Sequence, residues 1–252
     1  MKVAVPSYIY PNWWMPDGGT WAQLTAAAPE IGFAIINPDS GAGASPNTDY
    51  QEQVKRNKAA GLTTLGYVST SYFTSAKTLD DMTKEIENYY AWYGVDGIFF
   101  DETSTDLAQL ENYRALYAYV KDRLGLVVIN PGVGTAEEYA QVCDVMLDFE
   151  NDRAVYATRT PPEWTSKYPP EKFWHVVYNA SELALVIDSA RRQRAGYIYV
   201  TDDVLPNPYD SLPAYWSDQL ALVAVEPEPE PRGRFLCRLY RYLIERIGAR
   251  WR

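Results

Sequence analysis

The sequence predicts a (β/α)8 barrel, and three observations support that prediction. Short apolar runs typical of strands alternate with helical segments along most of the chain, which indicates a parallel sheet with right-handed crossovers. Eight such units occur, with strand starts roughly 20–32 residues apart, and eight units close a barrel. The length of 252 residues also suits this fold. An open doubly wound sheet is the alternative, but no G-x-G-x-x-G follows the first strand, and Gly132-x-Gly134 lacks the third glycine.

The predicted strands are runs rich in Val, Ile and aromatic residues, bounded by turn-forming residues. The fourth strand has the sequence V-D-G-I-F-F-D-E and ends in two adjacent carboxylates. The segment 151–172, before the seventh strand, contains four prolines, so we expect it to be irregular. In chain order we expect the strands at 3–9, 32–37, 63–70, 95–102, 126–130, 145–150, 173–179 and 197–201.

The predicted helices lie between these strands and carry apolar residues at helical spacing. Gly61 follows the second helix and fits a left-handed C-cap. The fourth helix has the most regular spacing of Leu, Tyr and Val, and the fifth opens with Thr135 and Glu138 in capping-box spacing. In chain order we expect the helices at 20–29, 48–60, 78–93, 106–124, 135–143, 181–195 and 213–225.

The composition argues against several classes of protein. With 47% hydrophobic and 22% charged residues, the chain is not expected to be disordered. It holds no run of about 18 apolar residues, so we expect no transmembrane helix. Met1 and Lys2 lead directly into the first predicted strand, so we expect no signal peptide. One histidine, His175, argues against an imidazole zinc site and fits a hydrogen-bonded interior residue, while Cys143 and Cys237 are expected to be idle thiols. We therefore expect no metal and no cofactor.

Charge divides the chain into three parts. Residues 1–225, the predicted barrel domain, carry 16 Lys and Arg against 29 Asp and Glu, a net charge of −13. So acidic a body is expected to repel nucleic acid and to favour neutral or cationic ligands. A Glu-Pro linker follows at 226–231, and then a basic amphipathic helix at 232–252 with seven Arg. This tail is expected to bind a membrane surface or an acidic partner, or else to dock on the acidic barrel of its own chain. We expect the protein to be a monomer.

Polar and aromatic side chains recur at the carboxyl ends of the predicted strands, where parallel α/β folds bind their ligands. The chain also has 21 Tyr and 8 Trp, more than a core of this size requires. A carbohydrate presents hydroxyls at its edge and C–H groups on its face, and so matches a polar pocket ringed with aromatic residues. On this basis we predict the substrate-binding residues Tyr8, Tyr10, Trp13, Asn37, Tyr67, Tyr72, Asn130, Asp148, Tyr178, Asn179, Tyr199 and Asp202.

Three carboxylates are the candidate catalytic residues: Asp101, Glu102 and Glu150. Glycoside cleavage needs one carboxyl group to protonate the leaving oxygen and a second to attack the sugar or to activate water. Asp101 and Glu150 end the fourth and sixth strands, so we expect them to face each other across the barrel mouth. Glu102 reaches the pocket only if the chain is already turning at that residue.

Strand alternation also predicts that Met146, Asp148 and Glu150 share the inward face, with Asp148 deeper, where it would orient or tune Glu150. Simpler roles stay open for the carboxylates. Asp101 and its neighbour could cap the following helix, and Glu150 could pair with Arg153.

Seven stretches occur along the chain in a fixed order: V-P-S-Y-I-Y-P…W (5–13), I-N-P-D-S-G-A-G (36–43), N-T-D-Y (47–50), L-G-Y-V-S-T-S-Y (65–72), W-Y-G-V-D-G-I-F-F-D-E (92–102), V-V-I-N-P-G (127–132) and C-D-V-M-L-D-F-E (143–150). In these stretches, over about residues 3–202, the chain resembles the spherulin-4 (spherulation-specific family 4) proteins. The segment 232–252 lies outside the resemblance.

The resemblance implies an endo-acting (β/α)8 glycoside hydrolase that cuts α-1,4-linked N-acetylgalactosamine or galactosamine in exopolysaccharides of fungal and bacterial biofilms. Asp101 and Glu102 match the family's acidic pair, and Glu150 best matches its later acidic residue. By that match and by position, we expect Asp101 to be the nucleophile, Glu150 the general acid/base and Glu102 a supporting carboxylate. Relatives are usually secreted, which implies an extracellular or cell-surface location, although the expected lack of a signal peptide leaves a cytoplasmic location or non-classical export open.

Two other functions are compatible with the residues. One is a catalytically silent barrel that holds polysaccharide through its aromatic residues. The other is a metal enzyme with Asp101, Glu102 and either Asp202 or Asp203 as ligands of Mg²⁺. The three carboxylates together favour the hydrolase over the binding protein, because a binding protein has no need of them.

Overall fold

The computed structural model describes residues 1–74 and 77–225, which contain a closed barrel of eight parallel strands. The strands follow one another around the barrel in chain order, and the first closes it by pairing with the eighth, with Lys2 beside Tyr197. The predicted (β/α)8 barrel is confirmed. The predicted linker at 226–231, the tail helix at 232–252 and Cys237 lie outside the described residues. The strands are β1 (Lys2–Val5), β2 (Ile31–Ile36), β3 (Thr64–Ser69), β4 (Gly97–Asp101), β5 (Leu126–Ile129), β6 (Val145–Asp152), β7 (Phe173–Tyr178) and β8 (Tyr197–Val200).

The described residues hold seven α-helices, and local capping residues mark the ends of some of them. The side chain of Asn47 accepts hydrogen bonds at the start of the second helix, and Gly61 ends that helix with a φ of 77°. Thr78 and Asp81 form a capping box at the start of the third. The helices are α1 (Gly19–Ala26), α2 (Thr48–Ala60), α3 (Leu79–Asn88), α4 (Leu110–Lys121), α5 (Arg153–Thr158), α6 (Leu183–Arg192) and α7 (Trp216–Ala224). Within the described ranges, none of them has both the length and the apolar character needed to cross a bilayer.

Several segments differ from the prediction. The first strand ends at Val5 and not at residue 9, and the last part of the predicted helix 78–93 is a π-helix over Tyr89–Tyr93. The segment expected to be a helix at 135–143 is a 3₁₀ helix over Glu137–Val142, because its buried residues Tyr139 and Val142 are three apart and suit a three-residue turn. The segment 151–172 is irregular as expected, but it contains α5, whose start is capped by the Asp152 side chain.

The barrel interior is filled by aromatic side chains that meet from different strands. Trp174 of β7 packs edge-on against Phe33 of β2 and Phe99 of β4, with ring centroids 5.1 and 5.8 Å apart. Tyr67 of β3 contacts Phe99 at 6.1 Å and reaches Asp101, the last residue of β4, with its hydroxyl. These contacts show which residues of β3, β4 and β7 point inward, and they place Asp101 above the core at the carboxyl end of the barrel.

Candidate active site

The carboxylates of Asp101 and Glu150 are joined by one side-chain amide. Asn130 follows β5, and its Nδ2 donates to Asp101 Oδ1 at 2.7 Å and to Glu150 Oε2 at 2.6 Å. These two oxygens are therefore no more than about 5.3 Å apart, the sum of 2.7 and 2.6 Å. Three neighbouring strands thus bring two carboxylates and an amide together at the barrel mouth.

Each carboxylate also accepts a hydrogen bond from a tyrosine. The Tyr67 hydroxyl donates to Asp101 Oδ2 at 2.8 Å, and the Tyr209 hydroxyl donates to Glu150 Oε1 at 2.6 Å. The ring of Tyr8 packs edge-on against both tyrosines, with centroids 5.7 and 5.8 Å away. Sequence reasoning missed Tyr209. Its position in a proline-rich loop directly after the eighth strand, at the carboxyl end of the barrel, is the signal that points to it.

The surroundings of the pair favour the protonated forms of both acids. Removal from water raises the pKa of Asp101; hydrogen bonds from Tyr67 and Asn130 lower it, and the charge of Glu102 raises it. Removal from water and the charge of Asp101 raise the pKa of Glu150, against hydrogen bonds from Tyr209 and Asn130. Ionisation of both acids at this distance is unfavourable because their negative charges repel. One acid of the pair can therefore keep a proton while the other is ionised.

Glu102 lies beside this pair because the chain turns at it, with a φ of 53°. Its carboxylate accepts a hydrogen bond from the Ser69 hydroxyl, and its carbonyl oxygen accepts one from Thr70 Oγ1 at 2.8 Å. The helix-capping alternative is contradicted, since Asp106 caps the next turn by accepting from the backbone N–H of Ala108 at 2.9 Å.

Tyr72 lies above the carboxylates in a left-handed turn of three residues. Ser71, Tyr72 and Phe73 have φ values of 45°, 55° and 54°, and the backbone N–H of Tyr72 donates to the carbonyl oxygen of Glu102 at 2.8 Å. The side chain is 49% exposed, and its pKa is raised by partial burial and by the charges of Glu102, Asp101 and Glu150. Backbone strain of this kind is concentrated at functional sites, and here it presents an aromatic ring at the mouth.

Three predicted substrate-binding residues make their contacts away from the carboxylate pair. The Tyr10 hydroxyl donates to Asp49 Oδ2 at 2.6 Å on the rim. Trp13 lies in a groove of about 460 Å³ between α1 and α2, with the Arg56 guanidinium 5.0 Å from its ring centre. Asn37 Oδ1 accepts a hydrogen bond of 2.8 Å from the backbone N–H of Gly41 and so shapes the loop after β2.

The last two strands supply the remaining predicted residues. Tyr178 donates to Asn151 Oδ1 at 3.3 Å, and the charge of Glu150 contributes to the raised pKa of Tyr178, after burial and the charge of Asp152. The backbone N–H of Asn179 donates to the carbonyl oxygen of Asp203 at 2.8 Å. Tyr199 is buried and donates to the carbonyl oxygen of Ser211 at 3.2 Å, which anchors the loop that carries Tyr209. Asp202 is exposed at the end of β8.

The predicted inward position of Asp148 is wrong. Its carboxylate is ion-paired with Arg159 and lies 3.2 Å from Nε2 of His175, which in turn contacts Tyr156 of α5 through Nδ1 at 2.7 Å. Asp148 thus faces the helices, because a bulge in β6 interrupts the alternation of side chains. Asp148 is therefore not a substrate-binding residue at the barrel mouth. His175 is a buried, hydrogen-bonded interior residue, as expected.

The geometry does not support two alternative roles of the carboxylates, an ion pair of Glu150 with Arg153 and a binding site for Mg²⁺. Arg153, the alternative partner considered for Glu150, has its guanidinium 3.9 Å from Glu182. In the ranges 1–74 and 77–225, no three Asp, Glu, His or Cys side chains come close enough together to hold a metal ion, and Asp203 contacts Ser211 at 3.4 Å. The proposed ligand set for Mg²⁺ is therefore not assembled.

Comparisons with known proteins agree with this arrangement. The family model described as spherulation-specific family 4 matches residues 2–223. Spherulin-4 of Physarum polycephalum is 30% identical over 241 residues, which covers 88% of this chain and 70% of that protein. Sph3 of Aspergillus clavatus, whose crystal structure is a complex with GalNAc, has a TM-score of 0.76 and 29% identity, over 89% of this chain and 97% of that one. The chitinase RmChi1 of Rhizomucor miehei shares the fold, with a TM-score of 0.55 and 12% identity over 88% of this chain and 100% of the other.

The match to the family model runs from β1 into α7 and so includes every strand of the barrel and the three carboxylates at its mouth. The identity to a named family member extends over a similar share of the chain. This chain belongs to the spherulation-specific family 4 (spherulin-4) proteins.

Proposed function

We propose that this protein is an endo-acting glycoside hydrolase whose substrate is a polysaccharide of α-1,4-linked N-acetylgalactosamine and galactosamine. The observation that carries the proposal is that the side-chain amide of Asn130 donates one hydrogen bond to Asp101 and one to Glu150, and so keeps the two carboxylates close together. Glycoside cleavage requires two carboxyl groups at a short, defined separation with different protonation states. Burial and mutual repulsion supply the second condition here.

In the proposed reaction, Asp101 attacks the anomeric carbon as a carboxylate. Glu150 gives its proton to the glycosidic oxygen, the bond to that oxygen breaks, and a covalent glycosyl–Asp101 ester forms. Glu150, now ionised, takes a proton from a water molecule as the oxygen of that water attacks the anomeric carbon. The bond from this carbon to the Asp101 oxygen breaks, which releases the sugar, restores the Asp101 carboxylate and leaves Glu150 protonated again. A separation of about 5–5.5 Å suits this retaining route, and the upper limit of about 5.3 Å between Asp101 Oδ1 and Glu150 Oε2 is compatible with it. Glu102 acts as a supporting carboxylate beside the nucleophile.

The choice of sugar rests on the relative solved with GalNAc and on the aromatic residues at the mouth. Sph3 of Aspergillus clavatus, at 29% identity, binds GalNAc in its crystal structure. The tyrosines around the pair, Tyr8, Tyr67 and Tyr209, combine apolar rings with hydroxyl groups, which is the chemistry that suits the C–H groups and polar edges of a sugar. Because such a polymer is too large to cross a membrane intact, we also propose that the protein acts outside the cell or at its surface, which fractionation of the source cells would test.

The experiment compares Asp101→Asn and Glu150→Gln with the unchanged protein on defined oligomers of galactosamine and N-acetylgalactosamine. We expect each substitution to remove nearly all release of reducing ends while leaving the far-UV circular dichroism unchanged. Glu182→Gln, which alters a carboxylate on the surface beside Arg153, is the matched control and should keep full activity. If either site variant keeps most of its activity, the role assigned to that residue is wrong.

The same experiment separates the hydrolase from a binding barrel. Binding of the oligomers by the unchanged protein, without release of reducing ends at any pH between 4 and 8, would favour a catalytically silent polysaccharide-binding protein. Release of reducing ends that depends on both carboxylates excludes that alternative.

A further inference from the structure

Strand β6 contains one residue more than its neighbour β7 just below Glu150. Leu147 pairs with Trp174, whereas Phe149 already pairs with the next residue of β7, so Asp148 is the extra residue of a β-bulge. Trp174 points into the barrel, and Leu147, in register with it, shares that face. With regular alternation after Leu147, Glu150 would point outward to the helices. The bulge therefore turns Glu150 into the mouth.

The extra residue is held from the helix side by Arg159, which follows α5. The guanidinium of Arg159 is ion-paired with the carboxylate of Asp148 and lies 3.5 Å from the carbonyl oxygen of the same residue. It also donates at 2.8 Å to Oε1 of Gln193, the residue that follows α6, and lies 5.6 Å from the ring centre of Phe149. The side chains of Arg159 and Asp148 are only 7% and 3% exposed, and His175 lies against the other carboxylate oxygen.

We propose that Arg159 and Asp148 are positioning residues, which hold the bulge in β6 and thereby keep Glu150 at the barrel mouth. A buried carboxylate is stable only beside a partner, so Asp148 stays on the side where Arg159 lies. A buried ion pair contributes little net stability compared with apolar residues of the same size, and a role in fixing one strand register accounts for its presence. The effect on catalysis rests on the proposed function. The effect of the ion pair on the register of β6 does not depend on that function.

The first test is the activity of Arg159→Met on a galactosamine oligomer, normalised to the folded fraction of the protein. Misplacement of Glu150 should lower kcat about 100-fold with little change in KM, because Asp101 and the tyrosines stay in place. Arg159→Lys keeps a cation at the site and should restore part of kcat. A variant with unchanged kcat per folded molecule would overturn the proposal.

Arg159→Met leaves Asp148 buried without a cation and can fail to fold. The double variant Asp148→Asn with Arg159→Met removes both charges and should fold, yet it should show the same loss of kcat. The matched control is Lys121→Met, which removes the cation of the ion pair at the other end of β6, where Lys121 Nζ lies 3.0 Å from Asp144 Oδ2. This control should lose stability but keep its kcat.

A second readout does not need activity. The Glu150 carboxyl is followed by ¹³C NMR over a pH titration and assigned with Glu150→Gln. When Asp148 and Arg159 are both present, Asp101→Asn removes the negative charge that faces Glu150 and should lower the pKa of Glu150. The other titratable groups that face Glu150 are Tyr8, Tyr72, Tyr178 and Tyr209.

In the double variant that replaces both charges, the same Asp101→Asn change should leave the Glu150 titration where it was, because the two carboxyl groups no longer face each other. A full Asp101-dependent shift in that background would show that the bulge persists without its ion pair, and the proposal would be wrong. If the unchanged protein cleaves no glycoside but the double variant shows the predicted loss of coupling, the hydrolase function fails while the positioning role stands.

Discussion

At the residue scale, the amide of Asn130 links the titration of the two acids that face each other at the mouth. Its hydrogen bonds lower the pKa of Asp101 and that of Glu150, against burial, which raises both. In the proposed reaction, activity requires a pH above the lower pKa of the pair and below the higher one. Each donor around the pair should therefore control one or both limbs of the pH profile.

Replacing these donors should move the limbs selectively. Asn130→Ala should raise both pKa values, so the whole bell-shaped profile of kcat/KM moves to higher pH, and kcat should fall about 100-fold. Tyr209→Phe removes a donor from Glu150 alone and should move only the basic limb upward. The measurement is kcat/KM from pH 3 to 9. A shift of the acidic limb in Tyr209→Phe would contradict the assignment of Asp101 as nucleophile.

The same pKa values predict an effect on stability. A carboxyl group with a raised pKa in the folded state binds its proton more tightly there than in the unfolded chain, so its contribution to stability is lost as the pH rises through the folded pKa. Glu150→Gln should therefore increase the free energy of unfolding at pH 7, by about 1.4 kcal/mol for each pH unit of the shift, and should have little effect below about pH 4. Urea unfolding at the two pH values checks this. A loss of stability at pH 7 would contradict it.

At the element scale, the strands were predictable because eight apolar runs bounded by turn residues repeat along the chain. The bulge in β6 was not, since it depends on Arg159, eleven residues further along, and a period-two pattern contains no sign of it. For that reason the alternation pattern predicts the wrong face of β6 for Asp148. The same pattern predicts the inward face for Glu150, where the structure has it, although the regular alternation on which that prediction depends is interrupted by the bulge. Tyr209 was missed because it lies in a loop, where no periodicity marks which side chain turns inward.

The loop after β1 presents aromatic rings that the carboxylate site does not use. Trp14 is 53% exposed and packs edge-on against Tyr10 and Trp13, with centroids 6.2 and 5.6 Å away. If this loop contacts outer units of the polymer, Trp14→Ala should raise KM about 3- to 10-fold on long polymer and leave kcat unchanged. Kinetics on polymer and on a trimer distinguish the outer contact from the reacting site. An equal change on the trimer would contradict it, and Leu124→Ala, an exposed apolar residue after α4, is the control.

At the scale of the whole molecule, the barrel is acidic, and several of its acidic residues lie at the carboxyl end of the strands. Residues 1–225 carry a net charge of −13, and acidic residues lie at the end of β6 and in the loop after β8, where their charges contribute to the raised pKa values of Tyr178 and Tyr199. They include Asp152, Asp202, Asp203 and Asp210. Galactosamine units are cationic at neutral pH and N-acetylgalactosamine units are not, so the field of the barrel should attract the partly deacetylated polymer.

Salt should therefore discriminate between the two forms of the substrate. Raising the ionic strength from 0.01 to 0.1 M shortens the Debye length from about 30 to about 10 Å, which screens attraction over the width of the mouth. We expect kcat/KM to fall about tenfold on partly deacetylated polymer and to stay constant on fully acetylated polymer. Asp210→Asn, which removes an exposed charge from the loop after β8, should reduce the salt dependence on the charged polymer without changing activity on the acetylated one. An equal response of both polymers to salt would show that the charge of the barrel does not select the substrate.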